Sequence, residues 1–131
     1  MEFPEDLLYT RDHEWARYDA KKKVVTIGIT DFAQSKLGDI VHVELPEEGD
    51  DVKVEEPFGS VESVKAVEDI FSPISGEVLE VNTVLMDSPE IVNEDASGEG
   101  WMVRVKISDD SALDEMMSAE AYQEFVESED A

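Results

Sequence analysis

Cysteine is absent from the 131 residues of this sequence. Its absence excludes disulfides, thiolate nucleophiles and cysteine-based zinc sites, so any redox-active sulfur must arrive on a cofactor. A chain of this size does not need disulfides, because domains of about 150 residues bury roughly two thirds of their unfolded surface. We therefore expect one domain spanning residues 1–131.

Positive charge is scarce. The sequence has 10 Lys and Arg residues against 34 Asp and Glu residues, which gives a net charge of −24 at pH 7. Such a charge repels phosphate backbones and anionic lipid surfaces, so we expect no nucleic-acid and no membrane partner. Two explanations stay open: a soluble surface suited to a salty cytoplasm, or recognition by enzymes with basic docking faces.

Long apolar runs are missing as well. No segment approaches the roughly 18 residues of a membrane-spanning helix. The start, Met1–Tyr9, lacks the basic and apolar regions of a signal peptide. The expected location is cytoplasmic.

Catalytic motifs are also absent from the sequence. It contains no Ser/His/Asp order, phosphate-binding glycine loop, metal-ligand spacing or calcium loop. Its two histidines, His13 and His42, are not paired with a nucleophile, and a lone histidine beside a strand is more often structural. We expect a protein that is not an enzyme and holds no metal.

The sequence does contain a β-hairpin pattern centred on one lysine. Two apolar runs, Val61–Val64 and Val67–Phe71, carry polar residues at near-alternate positions and flank Lys65. A lysine at a hairpin tip presents its amine to an acylating enzyme from several directions. An ordinary solvated lysine in a turn would show the same pattern, so the hairpin alone does not assign a modification.

Alternating apolar residues predict further strands. Residues 13–18 and 24–29 are expected to pair, and residues 101–107 form another strand with Trp101 facing inward. The segments 38–43 and 76–81 are similar position by position, which suggests two β halves related by an approximate twofold axis.

The sequence predicts short helices. Phe32–Leu37 is expected to form a helix that Asp31 caps and Gly38 ends. A second short helix is expected to start at Ser88. Apolar residues at helical spacing from Leu113 to Val126 predict a helical C-terminal segment.

The five residues Glu62–Ala66 resemble the lipoylation motif of the glycine cleavage H-protein family. A biotinyl domain would instead have methionines on both sides of the lysine, where this chain has Val64 and Ala66. The resemblance continues in separate motifs along the chain: His13–Trp15, Gly28–Gln34, Leu37–Asp39, Val43–Pro46, Pro73–Val78 and Gly100–Met102.

This resemblance implies a mostly β fold, the barrel-sandwich hybrid of lipoyl and biotinyl domains, with short helices and a C-terminal helical segment. It implies lipoate covalently attached to Lys65. It also implies a cleft in which an acidic residue meets the aminomethyl group of the loaded arm. Glu14 matches that position in the His-Glu-Trp motif, and Asp69 is a second candidate.

The resemblance also implies the partners of a monomeric shuttle. The arm would take an aminomethyl group from glycine decarboxylase (P protein) and pass its one-carbon unit to tetrahydrofolate on the aminomethyltransferase (T protein). Dihydrolipoamide dehydrogenase (L protein) would reoxidise it, and a lipoate ligase or an octanoyl/lipoyl transferase would load Lys65. An alternative stays open: an H-like store or relay of lipoate that donates lipoyl groups to 2-oxoacid dehydrogenases.

Overall fold

Two antiparallel β-sheets form the body of the protein, and the computed structural model describes residues 2–129. The strands in chain order are β1 (Leu8–Tyr9), β2 (Glu14–Asp19), β3 (Val24–Ile29), β4 (Ile40–Glu44), β5 (Asp51–Val52), β6 (Pro57–Ser63), β7 (Val67–Phe71), β8 (Gly76–Val81) and β9 (Val103–Lys106). The larger sheet has the order β1-β2-β3-β9-β8-β5, and the smaller has the order β4-β6-β7.

The β2–β3 pair is the predicted one, and its register places Trp15 opposite Gly28. Trp15 is fully buried, and its indole Nε1 donates a hydrogen bond to the Ala96 carbonyl at 2.9 Å. A Cβ added at Gly28 would lie 2.8 Å from the Trp15 ring, so the indole needs the space that glycine leaves. The prediction of this strand pair is confirmed.

The first helix, α1 (Asp31–Leu37), has its predicted extent to within one residue but a different cap. Thr30 is the N-cap, and its Oγ1 accepts a hydrogen bond from the Ala33 amide at 3.1 Å. The prediction that Asp31 caps the helix is wrong. Asp31 lies in the first turn, where its carboxylate accepts from the Gln34 side chain.

Two further helices lie around the predicted start at Ser88. They are α2 (Val84–Asp87) and α3 (Ile91–Glu94). The predicted helix corresponds to α3, which ends at Glu94 as the sequence indicates. The predicted cap is wrong: the helix begins at Ile91 with Glu90 as its N-cap, and Ser88 lies in the turn that follows α2.

The C-terminal part is helical as predicted. A 3-10 helix (Ser111–Glu115) precedes α4 (Ala119–Glu129). The strand predicted for residues 101–107 is shorter, since Trp101 precedes β9 and is only half-buried. Its indole packs on Arg104, whose guanidinium carbon lies 4.1 Å from the ring centroid. In residues 2–129 no helix combines the length and apolar character needed to cross a bilayer.

Apolar side chains from both sheets and from the short helices form the part of the core beneath the site. Its buried members are Ile29, Ile40, Val43, Val61, Ile70, Leu85, Val92 and Met102. Full burial of each such side chain contributes about 1.5–3 kcal/mol. This cluster packs α1 and the β6–β7 hairpin against the end of β3, an inner strand of the larger sheet.

Candidate functional site

Lys65 lies in the turn of the β6–β7 hairpin, as the sequence predicts. We call the turn, residues 64–66, the hairpin tip. The hydroxyl oxygen of Ser63, which is buried, accepts hydrogen bonds from the amides of Lys65 and Ala66, both at 3.1 Å. The Ser63 amide in turn donates to the Ala66 carbonyl at 2.8 Å. These bonds fix the backbone of the tip while the Lys65 side chain is exposed.

Two valines frame Lys65 in solvent. Val64 is 70% exposed and Val67 is 64% exposed, in a protein that buries most of its other valines. Because exposed valines cost hydrophobic free energy, this apolar frame suits a surface that an enzyme covers when it reaches the lysine. The Val64 amide donates to the Asp39 carbonyl at 3.2 Å, which ties the hairpin tip to the segment after α1.

The Lys65 side chain runs over Gly38. A Cβ added at Gly38 would lie 3.5 Å from Lys65 Cε and 3.9 Å from Nζ. Gly38 has a φ of 81° and ends α1, a conformation that glycine adopts without strain. The amine of Lys65 therefore lies beside the C-terminal end of α1.

A cleft of about 430 Å³ opens next to this end of the helix. We call it the α1 cleft. Its lining residues come from β2, β3, α1 and the β6–β7 hairpin, with two residues that precede β2: Asp12, His13, Glu14, Ile29, Phe32, Ala33, Lys36, Leu37, Val61, Glu68, Asp69 and Ile70. The lining is thus part apolar and part acidic, which suits a ligand with an alkyl chain and a cationic end.

Glu14 is the buried acid of this cleft, only 2% exposed. Its Oε1 accepts from the Thr10 hydroxyl at 2.7 Å, and its Oε2 accepts from the Phe71 amide at 3.3 Å. Burial raises the pKa of Glu14 to about 7; the Asp12 charge raises it further, and the bonds from Thr10 and Phe71 oppose the rise. A carboxylate has about four acceptor positions, so two remain for a ligand.

Asp69 lines the same cleft from β7, where it pairs with Ser60 and is exposed. The two acids that the sequence singled out therefore border one cavity. Sequence reasoning missed Asp12 and Glu68, which also line it. The only available signal for Glu68 was its closeness to Lys65, and nothing local marks Asp12.

His13 supports the wall of the α1 cleft. It has a φ of 68°, and its Nδ1 lies 2.9 Å from the Tyr122 hydroxyl of α4. The same hydroxyl lies 2.7 Å from Thr30 Oγ1, and the His13 ring packs 4.9 Å from that of Phe32. This packing agrees with the structural role expected for His13.

A second cavity, of about 610 Å³, shares Asp12 and Glu14 with the α1 cleft. Its other lining residues include Arg11, Phe71 and Met117. The residues that adjoin Gly38, Lys36 and Leu37, line the α1 cleft and not this cavity. The α1 cleft is therefore the one that Lys65 adjoins.

Within residues 2–129 no group of three or more His, Asp or Glu side chains is arranged to hold a metal ion. The arrangement as described offers an exposed amine, a neighbouring cleft and a buried acid inside it.

Comparisons with known proteins agree along the whole chain. The family model described as glycine cleavage H-protein matches residues 7–129. The glycine cleavage system H protein of Anaeromyxobacter sp. (strain K) is 56% identical over 130 residues, covering 99% of this chain and 100% of that protein. The H protein of Rubrobacter xylanophilus is 56% identical over 129 residues, covering 98% of both chains.

A solved structure is also similar. The crystal structure of a glycine cleavage system H protein from Mycobacterium marinum superposes with a TM-score of 0.85 at 39% identity, covering 93% of this chain and 97% of that chain. The predicted fold class, a barrel-sandwich hybrid with short helices, is confirmed by this likeness and by the two antiparallel sheets.

Proposed function

The chain belongs to the glycine cleavage H-protein family, as its motifs predict, and on this premise we propose that Lys65 carries a lipoyl group in amide linkage. The protein is a lipoyl carrier of the glycine cleavage system. The assignment of Lys65 depends on one observation: its side chain is exposed on a turn, and hydrogen bonds to the Ser63 hydroxyl fix the backbone of that turn. Amide formation removes the charge of the amine, and Lys65 forms no ion pair in the described residues that would be lost.

The α1 cleft suits the group that Lys65 would carry. When bound, lipoate would supply a sulfur that accepts the aminomethyl group of glycine. Apolar residues of the cleft would bury about four methylenes at ~0.8 kcal/mol each, or ~3 kcal/mol. A charge-assisted hydrogen bond adds about 1.5–3 kcal/mol, and ordering a long side chain costs about 1–2 kcal/mol. The balance of a few kcal/mol favours docking that is reversible.

Glu14 is the residue that we propose meets the aminomethyl cation, with Asp69 at the exposed side of the same cleft. Burial makes the free carboxylate of Glu14 unfavourable, which is why its pKa is near 7. An arriving ammonium group favours the ionised form, so Glu14 releases its proton to the solvent as the cation docks. The carboxylate then holds and shields the cationic end from water.

As a carrier, the chain would do no chemistry itself. The partners we propose are glycine decarboxylase, the aminomethyltransferase, dihydrolipoamide dehydrogenase and a lipoate-attaching enzyme, met in the cytoplasm by one domain that acts as a monomer. Val64 and Val67, the exposed valines that frame Lys65, support contact with a partner enzyme at this end of the protein. The net charge of −24 supports partners that have basic docking faces.

The experiment is intact-mass measurement before and after incubation with lipoate, ATP and a lipoate ligase. The wild-type protein should gain one lipoyl group, Lys65→Arg should gain none, and Lys53→Arg, which changes another exposed lysine, should behave as wild type. A lipoyl group found on any other lysine, or retained in Lys65→Arg, rejects the assignment.

The role of Glu14 is tested by the lifetime of the aminomethyl group on the loaded protein without the transferase. Glu14→Gln should lose it faster by about tenfold to hundredfold, because a lost charge-assisted hydrogen bond of about 1.5–3 kcal/mol corresponds to that range. Glu80→Gln makes the same change at an exposed site outside the cleft and should leave the rate alone. Equal rates in all three proteins remove Glu14 from the proposal.

A further inference from the structure

The side chain of Asn93, on α3, binds three points of the segment that underlies Lys65. Its Nδ2 donates to the Gly38 carbonyl and to Gln34 Oε1, each at 2.9 Å. Its Oδ1 accepts from the Ile40 amide, also at 2.9 Å. One half-buried amide therefore holds the end of α1 and the start of β4 together across more than fifty residues of sequence.

The segment that Asn93 holds is the one that contacts Lys65 and the hairpin tip. Gly38 lies under the Lys65 side chain, and the Asp39 carbonyl accepts from the Val64 amide. We call residues 38–40 the saddle. The saddle adjoins the lysine on one side and is bound by Asn93 on the other, so a shift of this segment would change the path of Lys65.

The saddle also adjoins the α1 cleft. Leu37 and Lys36, immediately before Gly38, line the cleft. The direction in which Lys65 crosses the saddle therefore decides whether a group on its amine points toward the cleft or into solvent. A displacement of about 1 Å in a positioned group can lower a reaction rate by about a hundredfold, so a small shift of the saddle matters for the arm.

We propose that Asn93 is a positioning residue for Lys65: by fixing the saddle, it directs the attached arm from the hairpin tip toward the α1 cleft. The role in arm docking rests on the proposed function of Lys65. Asn93 does not itself contact the cargo; it does not line the α1 cleft. Its effect passes through Gly38 and Asp39 to the lysine.

The chain offers a matched control in Asn82. Its Nδ2 also donates two hydrogen bonds to distant acceptors, the carbonyls of Glu99 and Trp101, at 2.9 and 2.7 Å, and it is also half-buried. None of these bonds involves the saddle. Asn82→Ala therefore removes two long-range hydrogen bonds of a half-buried amide, against three in Asn93→Ala, without touching the path of Lys65.

The first measurement uses the unmodified protein. The proton–proton nuclear Overhauser effect between the Lys65 Cε protons and the Gly38 Cα protons should be present in wild type and in Asn82→Ala. It should be lost in Asn93→Ala. An effect that survives in a folded Asn93→Ala protein overturns the proposal, whatever the result of lipoylation.

The second measurement follows loss of the aminomethyl group from the loaded protein without the transferase. Asn93→Ala should release it about threefold to tenfold faster than wild type, because an arm that is no longer directed toward the α1 cleft spends less time docked there. Asn82→Ala should match wild type, and the mass gain on lipoylation should be equal in all three. Wild-type protein that takes no lipoyl group on Lys65 refutes the proposed function instead, while equal release from the two loaded variants refutes the positioning role.

A second variant covers the case in which Asn93→Ala does not fold. Asn93→Asp keeps the acceptor for the Ile40 amide but replaces the donor to the Gly38 carbonyl with an acceptor. It should lose the Lys65–Gly38 contact and release the aminomethyl group faster, as Asn93→Ala does. Wild-type behaviour of a folded Asn93→Asp protein contradicts the proposal.

Discussion

At the scale of single residues, Glu14 connects the two sheets as well as the site. It lies on β2 of the larger sheet and accepts from the Phe71 amide of β7 in the smaller sheet. Its pKa is raised from 4.5 to about 7, mainly by burial. Between these values the folded protein holds a proton on Glu14 that the unfolded chain has lost, so this residue makes stability fall as pH rises from about 4.5 to about 7.

We predict that Glu14→Gln removes this pH dependence. Glutamine does not ionise, so the free energy of unfolding of Glu14→Gln minus that of wild type should rise by about 3 kcal/mol from pH 4.5 to pH 7 and then level off. Urea denaturation across this range measures the difference. Glu80→Gln controls for the loss of one carboxylate charge, and its difference from wild type should change little with pH. If the free energy of unfolding of Glu14→Gln follows the same pH dependence as that of wild type, Glu14 is not a protonated acid in the folded protein.

Local alternation placed Lys65 at a hairpin tip, and the resemblance of Glu62–Ala66 to the lipoylation motif of a family singled it out for modification. Sequence reasoning identified Glu14 only through the His-Glu-Trp motif of a family, since the partner that matters, the Phe71 amide, is 57 residues away. It missed Asn93 for the same reason. An asparagine in a short acidic segment carries no local sign that its amide binds a saddle 53–55 residues earlier.

At the scale of elements, the N-terminus of α1 connects the wall of the α1 cleft to α4. Thr30 caps the helix, and its hydroxyl also lies 2.7 Å from the Tyr122 hydroxyl. Asp31, by contrast, acts through its charge in the first turn and its contacts with Gln34 and the Glu2 amide.

We expect Thr30→Ala to lower the free energy of unfolding by about 1–2 kcal/mol, because it removes the cap and the bond to Tyr122. Asp31→Ala should cost about 0.3–1 kcal/mol, the range of a first-turn charge. Thr30→Ser keeps the hydroxyl and should recover most of the loss. Thermal or urea denaturation of the three variants measures these losses. A larger loss of stability in Asp31→Ala than in Thr30→Ala would show that Asp31 is the cap after all.

The strands were predictable because apolar and polar residues alternate along them. The helices were harder to predict. Thr30 and Asp31 are both good capping residues, so sequence alone cannot choose between them by one position. The four-residue helix α2 is too short to show helical periodicity, and it was missed. Trp101 was placed in a strand by alternation, but packing against Arg104 keeps it at the surface.

At the scale of the whole molecule, the net charge of −24 opposes the compact state. Like charges brought together on folding repel, and the repulsion is screened by salt. The Debye length falls from about 10 Å at 0.1 M to about 3 Å at 1 M. In residues 2–129 the structure shows few ion pairs between basic and acidic side chains, such as Arg104–Glu80.

The midpoint of thermal unfolding should therefore rise between about 0.1 and 1 M KCl. A gain of about 1 kcal/mol corresponds to about 3–6 °C for a chain of this size. Calorimetry at matched osmolality, with an uncharged osmolyte in place of salt, separates screening from preferential exclusion. A midpoint that does not change with salt would mean that the acidic surface carries no net repulsion.

The division of strands between the two sheets was not predictable from local pattern. The similar segments 38–43 and 76–81 become β4 and β8, which lie in different sheets. Their twofold relation stays a prediction. The overall barrel-sandwich fold was reached through the family resemblance, because alternation marks a strand but does not say which neighbour it pairs with.

The most direct test of the account is peptide mapping of the lipoylated protein after incubation with glycine and glycine decarboxylase. If Lys65 carries the cargo, the mass of one aminomethyl group appears on the peptide that contains Lys65 and on no other. A lipoylated protein that gains no such mass from glycine, or that gains it elsewhere in the chain, would contradict the claim that Lys65 carries the one-carbon cargo.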